Sequence, residues 1–359
     1  MRRNRVLAAV AILAAALALA APAGAAAQRS VDRVPGPALL SWRSVDVDSE
    51  EQFRGLDAVD RTTAWVGGSD GSVFRTTDGG DTWDDVSPRG SDGLLFRDVE
   101  ARNAGHASVL AIGEAKASRI YTTTDGGLTW TRAFTNRSPK AFYDCMAFWG
   151  RGRHGLAMSD PVGGKFRIIA TDDFGKTWTR LSNAGMPNAR PGEFAFAASG
   201  TCLVTAGRRQ AWLGTGGGAS RIFHTRDRGL NWEVTRAPIP ASPAGGVFSL
   251  AFDGVNRGVA VGGDFERPAA GRDASGRTFD GRRWRGGGDL SGYRSGVDWL
   301  ARTQRPILVA VGPTGSDVTY DGGRTWARFS RVGYDAVICA DDGGCWASGP
   351  EGAVARLRR

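Results

Sequence analysis

The sequence predicts an all-β fold: a seven-bladed β-propeller of four-stranded antiparallel blades, its ring closed by the N-terminal strand joining the last blade. Three observations carry that expectation. Glycine supplies 52 of the 359 residues and punctuates short apolar runs, with no long helical periodicity between them. A short motif built on Asp, Gly and Trp recurs along the chain. Its tryptophans, Trp42, Trp83, Trp130, Trp178, Trp232, Trp284 and Trp326, follow one another at intervals of roughly 40–55 residues, the length of one four-stranded blade.

The strongest copies are Thr77-Asp78-Gly79-Gly80-Asp81-Thr82-Trp83, Thr124-Asp125-Gly126-Gly127-Leu128-Thr129-Trp130 and Tyr320-Asp321-Gly322-Gly323-Arg324-Thr325-Trp326. Two further copies centre on Asp173 with Trp178 and on Asp227 with Trp232, and a shortened one on Asp280 with Trp284. Trp42 stands in a remnant that lacks the turn. The glycines suit positive φ in a tight hairpin. The Asp carboxylate can accept hydrogen bonds from turn amides, and the indole offers a large apolar face to pack between blades. These aspartates are therefore read as scaffold, not as catalytic acids or metal ligands.

Each unit also carries an earlier strand pair. The inner strand has an aromatic residue, taken in order as Phe53, Phe96, Phe142, Phe194, Phe248, Tyr293 and Tyr334, and the next strand is apolar. The chain opens on one outer strand, Ser41 to Val45, and ends on a third strand near Leu357. The first segment is therefore expected to complete the last blade, which leaves the ring no open edge.

Residues 1–27 read as a signal peptide: a basic start with Arg2, Arg3 and Arg5, an apolar run from Val6 to Ala21, and Ala25-Ala26-Ala27 as the cleavage site. The apolar run is shorter than a bilayer span, so no transmembrane anchor is expected after cleavage. Residues 28–37 are expected to be flexible and 38–359 to form one propeller, periplasmic or secreted. The formal charge of +9 falls to about +6 without the leader. Export permits disulfides. Cys339 and Cys345 flank a turn and are expected to bond across a hairpin, with Cys145 and Cys202 the remaining pair. The cysteines have no zinc-type spacing, and no haem-attachment or nucleotide motif is present, so neither metal nor cofactor is expected. An exported chain without a basic–aromatic stripe is not expected to bind nucleic acid. A monomer is expected.

The repeat resembles the Asp box, or BNR repeat, of sialidases, sortilin-type receptors and photosystem II stability/assembly factor-like proteins. The last group is the nearest in organisation, and its resemblance implies a non-catalytic assembly scaffold that uses a basic patch. In a propeller so built the repeat turns are expected on one face and a ligand site at the channel mouth on the other.

The residues following the inner-strand aromatics are Arg54, Arg97, Tyr143, Ala195, Ser249, Arg294 and Asp335. Arg54, Arg97 and Arg294 come from blades that are contiguous in a closed ring. They are expected to form a cationic arc with Asp335 inside it, suited to carboxylate or phosphate. Blade 3 departs from its siblings, and Tyr143, Asp144 and Asp160 are candidate contacts for a sugar or peptide. The expected partner is an envelope or extracellular protein, or an anionic small molecule or glycan. The alternative is a glycoside hydrolase of sialidase-like type acting on an extracellular glycan. Against it, the arginine-containing motif that precedes the first sialidase repeat is missing, and neither Tyr293 nor Tyr334 has an evident Glu partner.

Overall fold

A computed structural model describes residues 40–359, so the expected leader and flexible segment lie outside the described residues. No helix among the described residues is long and apolar enough to cross a membrane. The described residues form seven antiparallel sheets arranged as the blades of a propeller. Blade 1 runs Gly55–Ala58, Ala64–Gly67, Val73–Thr76 and Asp84–Asp85, from the inner to the outer strand. Blades 2 and 3 repeat the pattern from inner strands Leu95–Asn103 and Tyr143–Phe148, and blade 4 from Leu203–Ala206. Blades 5 to 7 start at Gly245–Asp253, Gly296–Trp299 and Ala336–Cys339. In blade 7 the fourth strand is Ser41–Val45, which pairs with Val354–Arg358 from Ser41 against Arg358 to Val45 against Val354. Blades 7 and 1 also meet where the Phe53 amide donates to the Gly349 carbonyl at 2.8 Å.

The repeat turns are closed by their own side chains. Asp78 accepts hydrogen bonds from the Thr82 amide at 3.0 Å and the Thr82 hydroxyl at 2.6 Å, while the Thr76 hydroxyl accepts the Gly80 amide. The same set recurs around Asp125, Asp173 and Asp321, and around Asp227 with the Asn231 side-chain amide in place of the threonine hydroxyl. Asp280 instead accepts the Arg282 and Arg283 amides, because the shortened turn lacks the threonine. Gly80 and Gly127 sit at φ +84° and +89°, and a Cβ on Gly127 would lie 2.5 Å from Val86. The turn glycine thus serves both backbone conformation and close packing on a neighbouring strand. The tryptophans then cross blade boundaries: Trp83 packs edge-on against Trp346 of blade 7, and Trp130 against Trp65 of blade 1, with centroids 6.0 and 6.3 Å apart. The core is correspondingly distributed between neighbouring blades, as where Trp65 and Val73 join Val99, Val109 and Tyr121.

Inner strands are also tied by acids that reach the next blade. Asp57 accepts the Ala101 amide at 2.6 Å, Asp98 the Met146 amide at 2.6 Å, and Asp298 the Cys339 amide at 2.8 Å. Arg151 of the short 3-10 turn Trp149–Arg151 grips Asp57 with both terminal nitrogens, at 2.8 and 2.9 Å, and donates to the carbonyls of Ala58 and Ala101. Two disulfides are present, Cys145–Cys202 and Cys339–Cys345.

These acids set the expected pH dependence. Burial pushes Asp98, Glu100 and Asp144 well above the usual carboxylate range, Asp160 up to about 6 and Asp298 up to about 7. Each holds its proton more tightly folded than unfolded. Its stabilising contribution is complete below about pH 4 and is lost as pH rises through the folded value. Burial and then Arg226 push His224 down to about 4, which works the other way: its contribution is lost as pH falls from about 6.5 through 4. His154 is lowered in the same sense. Asp78 and Asp125 are held near 2 by their threonine hydroxyls first and amides second, so their contribution is lost only below about pH 4. Five acids against two histidines give a thermal midpoint expected to peak near pH 4–5 and to fall toward pH 8. Calorimetry across that range checks it, and a midpoint rising from pH 4.5 to 7.5 would refute it.

Candidate functional site

The end of the channel where the inner strands begin opens into a cup of about 1310 Å³. What faces it is set by β-bulges, which re-aim one side chain per strand. The register shifts around Arg97 in blade 2, Asp144 in blade 3 and Phe248 in blade 5, and all three of these residues line the cup. Arg54, Asp160 and Asp335 also line it.

Five of the seven expected site residues therefore meet in one cavity, and two do not. Tyr143 is 3% exposed and packs edge-on against Phe134 at 5.0 Å, in the apolar interface with Leu110 and Ile120. The bulge in blade 3 turns Asp144 inward instead. Arg294 is fully buried, donating from Nε to Asp317 at 2.8 Å and from Nη1 to the Tyr293 carbonyl and Thr314. Its amide bonds to Gly262 as those of Phe53, Phe96 and Tyr334 bond to Gly349, Gly68 and Gly312. Arg294 thus occupies the position of an inner-strand aromatic, not of the residue after it. One extra residue before Asp298 shifts blade 6, and Ser295 takes the place that Arg54 and Arg97 have in their blades. The cationic arc is correspondingly smaller: Arg54 and Arg97, without Arg294.

Arg54 lies 3.7 Å from Asp335, whose Oδ2 is already taken by Gln52 at 2.8 Å, and its Nε has no hydrogen-bond partner. Arg97 donates to the Ala197 carbonyl at 3.2 Å, and no carboxylate is within ion-pair distance of it among the described residues. Burial first, and Arg54 second, push Arg97 down to about 10, so it remains cationic at neutral pH. These two guanidiniums form a cationic pair in the cup, which Lys140 and Arg190 also line.

The adjoining wall is aromatic and rests on an insertion. Phe194 does not belong to the inner strand of blade 4. It lies in Glu193–Phe194, a two-residue strand that pairs with Gly216–Gly217 and so extends the sheet of blade 5 to six strands. Glycines permit this approach: a Cβ on Gly218 would stand 1.9 Å from the Pro191 carbonyl oxygen, and one on Gly216 2.4 Å from the Phe196 ring. Glu193, 4% exposed, anchors the insertion by accepting from Arg221, Thr215 and the Arg190 amide. Phe196 then stacks on Phe248, with centroids 3.8 Å apart and rings 10° from parallel, and Phe248 meets Tyr293 edge-on at 4.7 Å. The run Gly214-Thr215-Gly216-Gly217-Gly218 was the sequence signal for close backbone approach.

The described residues thus form a seven-bladed β-propeller with a mixed charged and aromatic cup at one end. Among curated proteins the chain is similar to the photosystem II assembly lipoprotein Ycf48 of Synechococcus sp. (strain CC9902), 26% identical over 147 residues. That match spans 41% of this chain and 41% of the relative. Among solved structures it is similar to YCF48 bound to a D1 peptide, with TM-score 0.62 and 16% identity over 89% of this chain and 97% of that one. YCF48 from Cyanidioschyzon merolae gives TM-score 0.59 and 16% identity over 89% and 99%. At that identity the structural likeness shows the propeller fold. No family model matches the chain.

Proposed function

We propose that the protein is an exported, non-catalytic binding or assembly scaffold that holds a segment of another protein in the cup, anchored by an anionic group at Arg54 and Arg97. The observation that carries this reading is the free capacity of those two guanidiniums: Arg54 Nε lacks a partner, and Arg97 has only a backbone carbonyl. A carboxylate would supply the charge-assisted bonds they lack. The flanking aromatic wall suits the apolar part of a peptide. A similar propeller, YCF48, has been solved with a D1 peptide, which supports a peptide ligand here. The leader read from residues 1–27 supports a partner in the periplasm or outside the cell.

The test is an envelope pull-down with wild type beside Arg54→Ala/Arg97→Ala, followed by titration of a captured acidic segment as a synthetic peptide. Each lost charged contact is worth about 1.5–3 kcal/mol, so the affinity is expected to fall at least about tenfold. Equal recovery of all partners by both proteins would overturn the reading. Turnover of chromogenic glycosides that disappears in Asp160→Asn would overturn its non-catalytic part.

A further inference from the structure

The Arg54–Arg97 side of the cup leaves its blade 3 corner unexplained. There Asp144 and Asp160 face the same cavity. Asp144 is 2% exposed, and its Oδ2 has no hydrogen-bond donor. Asp160 Oδ1 accepts the Ala195 amide at 2.9 Å, and the Asp160 amide donates to the Phe142 carbonyl at 2.9 Å. No ion pair reaches either carboxylate among the described residues, although Lys140 and Arg190 line the same cavity, so the two desolvated acids share a corner without a contacting counter-charge. Burial raises both acids, and the neighbouring Asp160 raises Asp144 further.

The surroundings say which kind of cation fits. Phe142, Phe194 and Phe196 line the cavity around these acids, and Ala195, which holds Asp160, stands between the last two. Aromatic faces attract an organic cation and pack along an aliphatic stem. No group of three His, Cys, Asp or Glu side chains is set to hold a metal ion among the described residues. A neutral sugar would supply no positive charge to the two desolvated acids.

We propose that Asp144 and Asp160, walled by Phe142, Phe194 and Phe196, form a subsite for the ammonium or guanidinium of a lysine or arginine side chain in the bound segment. This rests on the reading that a protein segment occupies the cup, and it adds a direction to it: the basic side chain lies at blade 3, the anionic group at blades 1 and 2.

The experiment follows amide shifts of the isotopically labelled protein at pH 7.5 on titration with N-acetyl-lysine methylamide, the arginine analogue and the isosteric norleucine analogue. The lysine and arginine probes are expected to shift Ala195 and Asp160 and to bind at least tenfold tighter than norleucine, roughly what one charge-assisted contact contributes. Asp144→Asn/Asp160→Asn is expected to reduce lysine to the norleucine level, whereas Arg54→Ala/Arg97→Ala keeps it. Equal binding of lysine and norleucine by wild type overturns the subsite without recourse to any variant. Undiminished lysine binding by a folded Asp144→Asn/Asp160→Asn does the same. Tighter binding of putrescine than of the lysine probe would overturn the peptide side chain as the source of the cation. Loss of acidic-peptide binding in the arginine variant, together with failure of the lysine probe, would remove this inference and leave the scaffold reading standing.

Discussion

Replacing Cys145 and Cys202 together with alanine is expected to lower stability by about 4 kcal/mol. The bond joins residues 57 apart in sequence, and the entropy of closing so long a loop in the unfolded chain gives that figure. Cys339–Cys345 closes a separation of only 6 and is worth about 2 kcal/mol on the same scale. For a chain of this size the thermal midpoints should fall by about 6 °C and about 3 °C, respectively. Calorimetry of the two double variants checks the order, and equal losses would refute the loop-closure account. The long bond also affects the cup. Cys202 ends the insertion that carries Phe194 and Phe196, and Cys145 follows Asp144 directly. Without the bond, the aromatic wall and the acidic corner lose their shared tether, so ligand affinity is expected to fall along with stability.

The scaffold was legible in the sequence wherever structure is local. A repeat turn is closed within seven residues by its own Asp, Thr and Gly, so the pattern of residues is also the pattern of hydrogen bonds. Blade order and the outer strand at Ser41–Val45 follow from that spacing. The site was legible only in part, because a channel-facing position depends on register. Aligning on the aromatics misplaced Tyr143 and Arg294 by one residue, since bulges and one extra residue intervene. Aligning on the inner-strand acids Asp57, Glu100 and Asp298, which all reach toward the next blade, would have set the register correctly. Phe194 was assigned to the wrong strand for a different reason: an insertion has no partner in the repeat to be compared with. Arg151 gave no periodic signal at all. Its only trace is the run Gly150-Arg151-Gly152, where the turn of blade 3 departs from its siblings.

That arginine carries the second large effect. Arg151 joins three blades at the repeat-turn end of the inner strands, through Asp57 and Ala58 of blade 1 and Ala101 of blade 2. Asp57 is the first cause of the raised Arg151 pKa, and Glu100 and Asp341 add to it. Arg151→Met keeps much of the side-chain volume but strands Asp57, whose carboxylate is 10% exposed, beside Asp98 and Glu100. Removing one partner of a buried pair costs 3–5 kcal/mol. Because the guanidinium is 35% exposed, the lower end applies: about 3 kcal/mol at pH 7.5, or about 4–5 °C in the midpoint. The sign of the pH dependence separates this from simple loss of packing. With the cation gone, Glu100, already raised by burial and then by Asp57 and Asp98, loses the Arg151 charge that lowers it, so its penalty is largest where it is ionised and fades as acid protonates it. The deficit of Arg151→Met should therefore shrink between pH 7.5 and 4.5. Asp57→Asn in the same chain should recover part of it, since the amide oxygen can still accept the Ala101 N–H while carrying no charge. A deficit equal at both pH values, or a double variant no more stable than Arg151→Met alone, would show that Arg151 acts through packing and not as the counter-charge of the inner-strand acids.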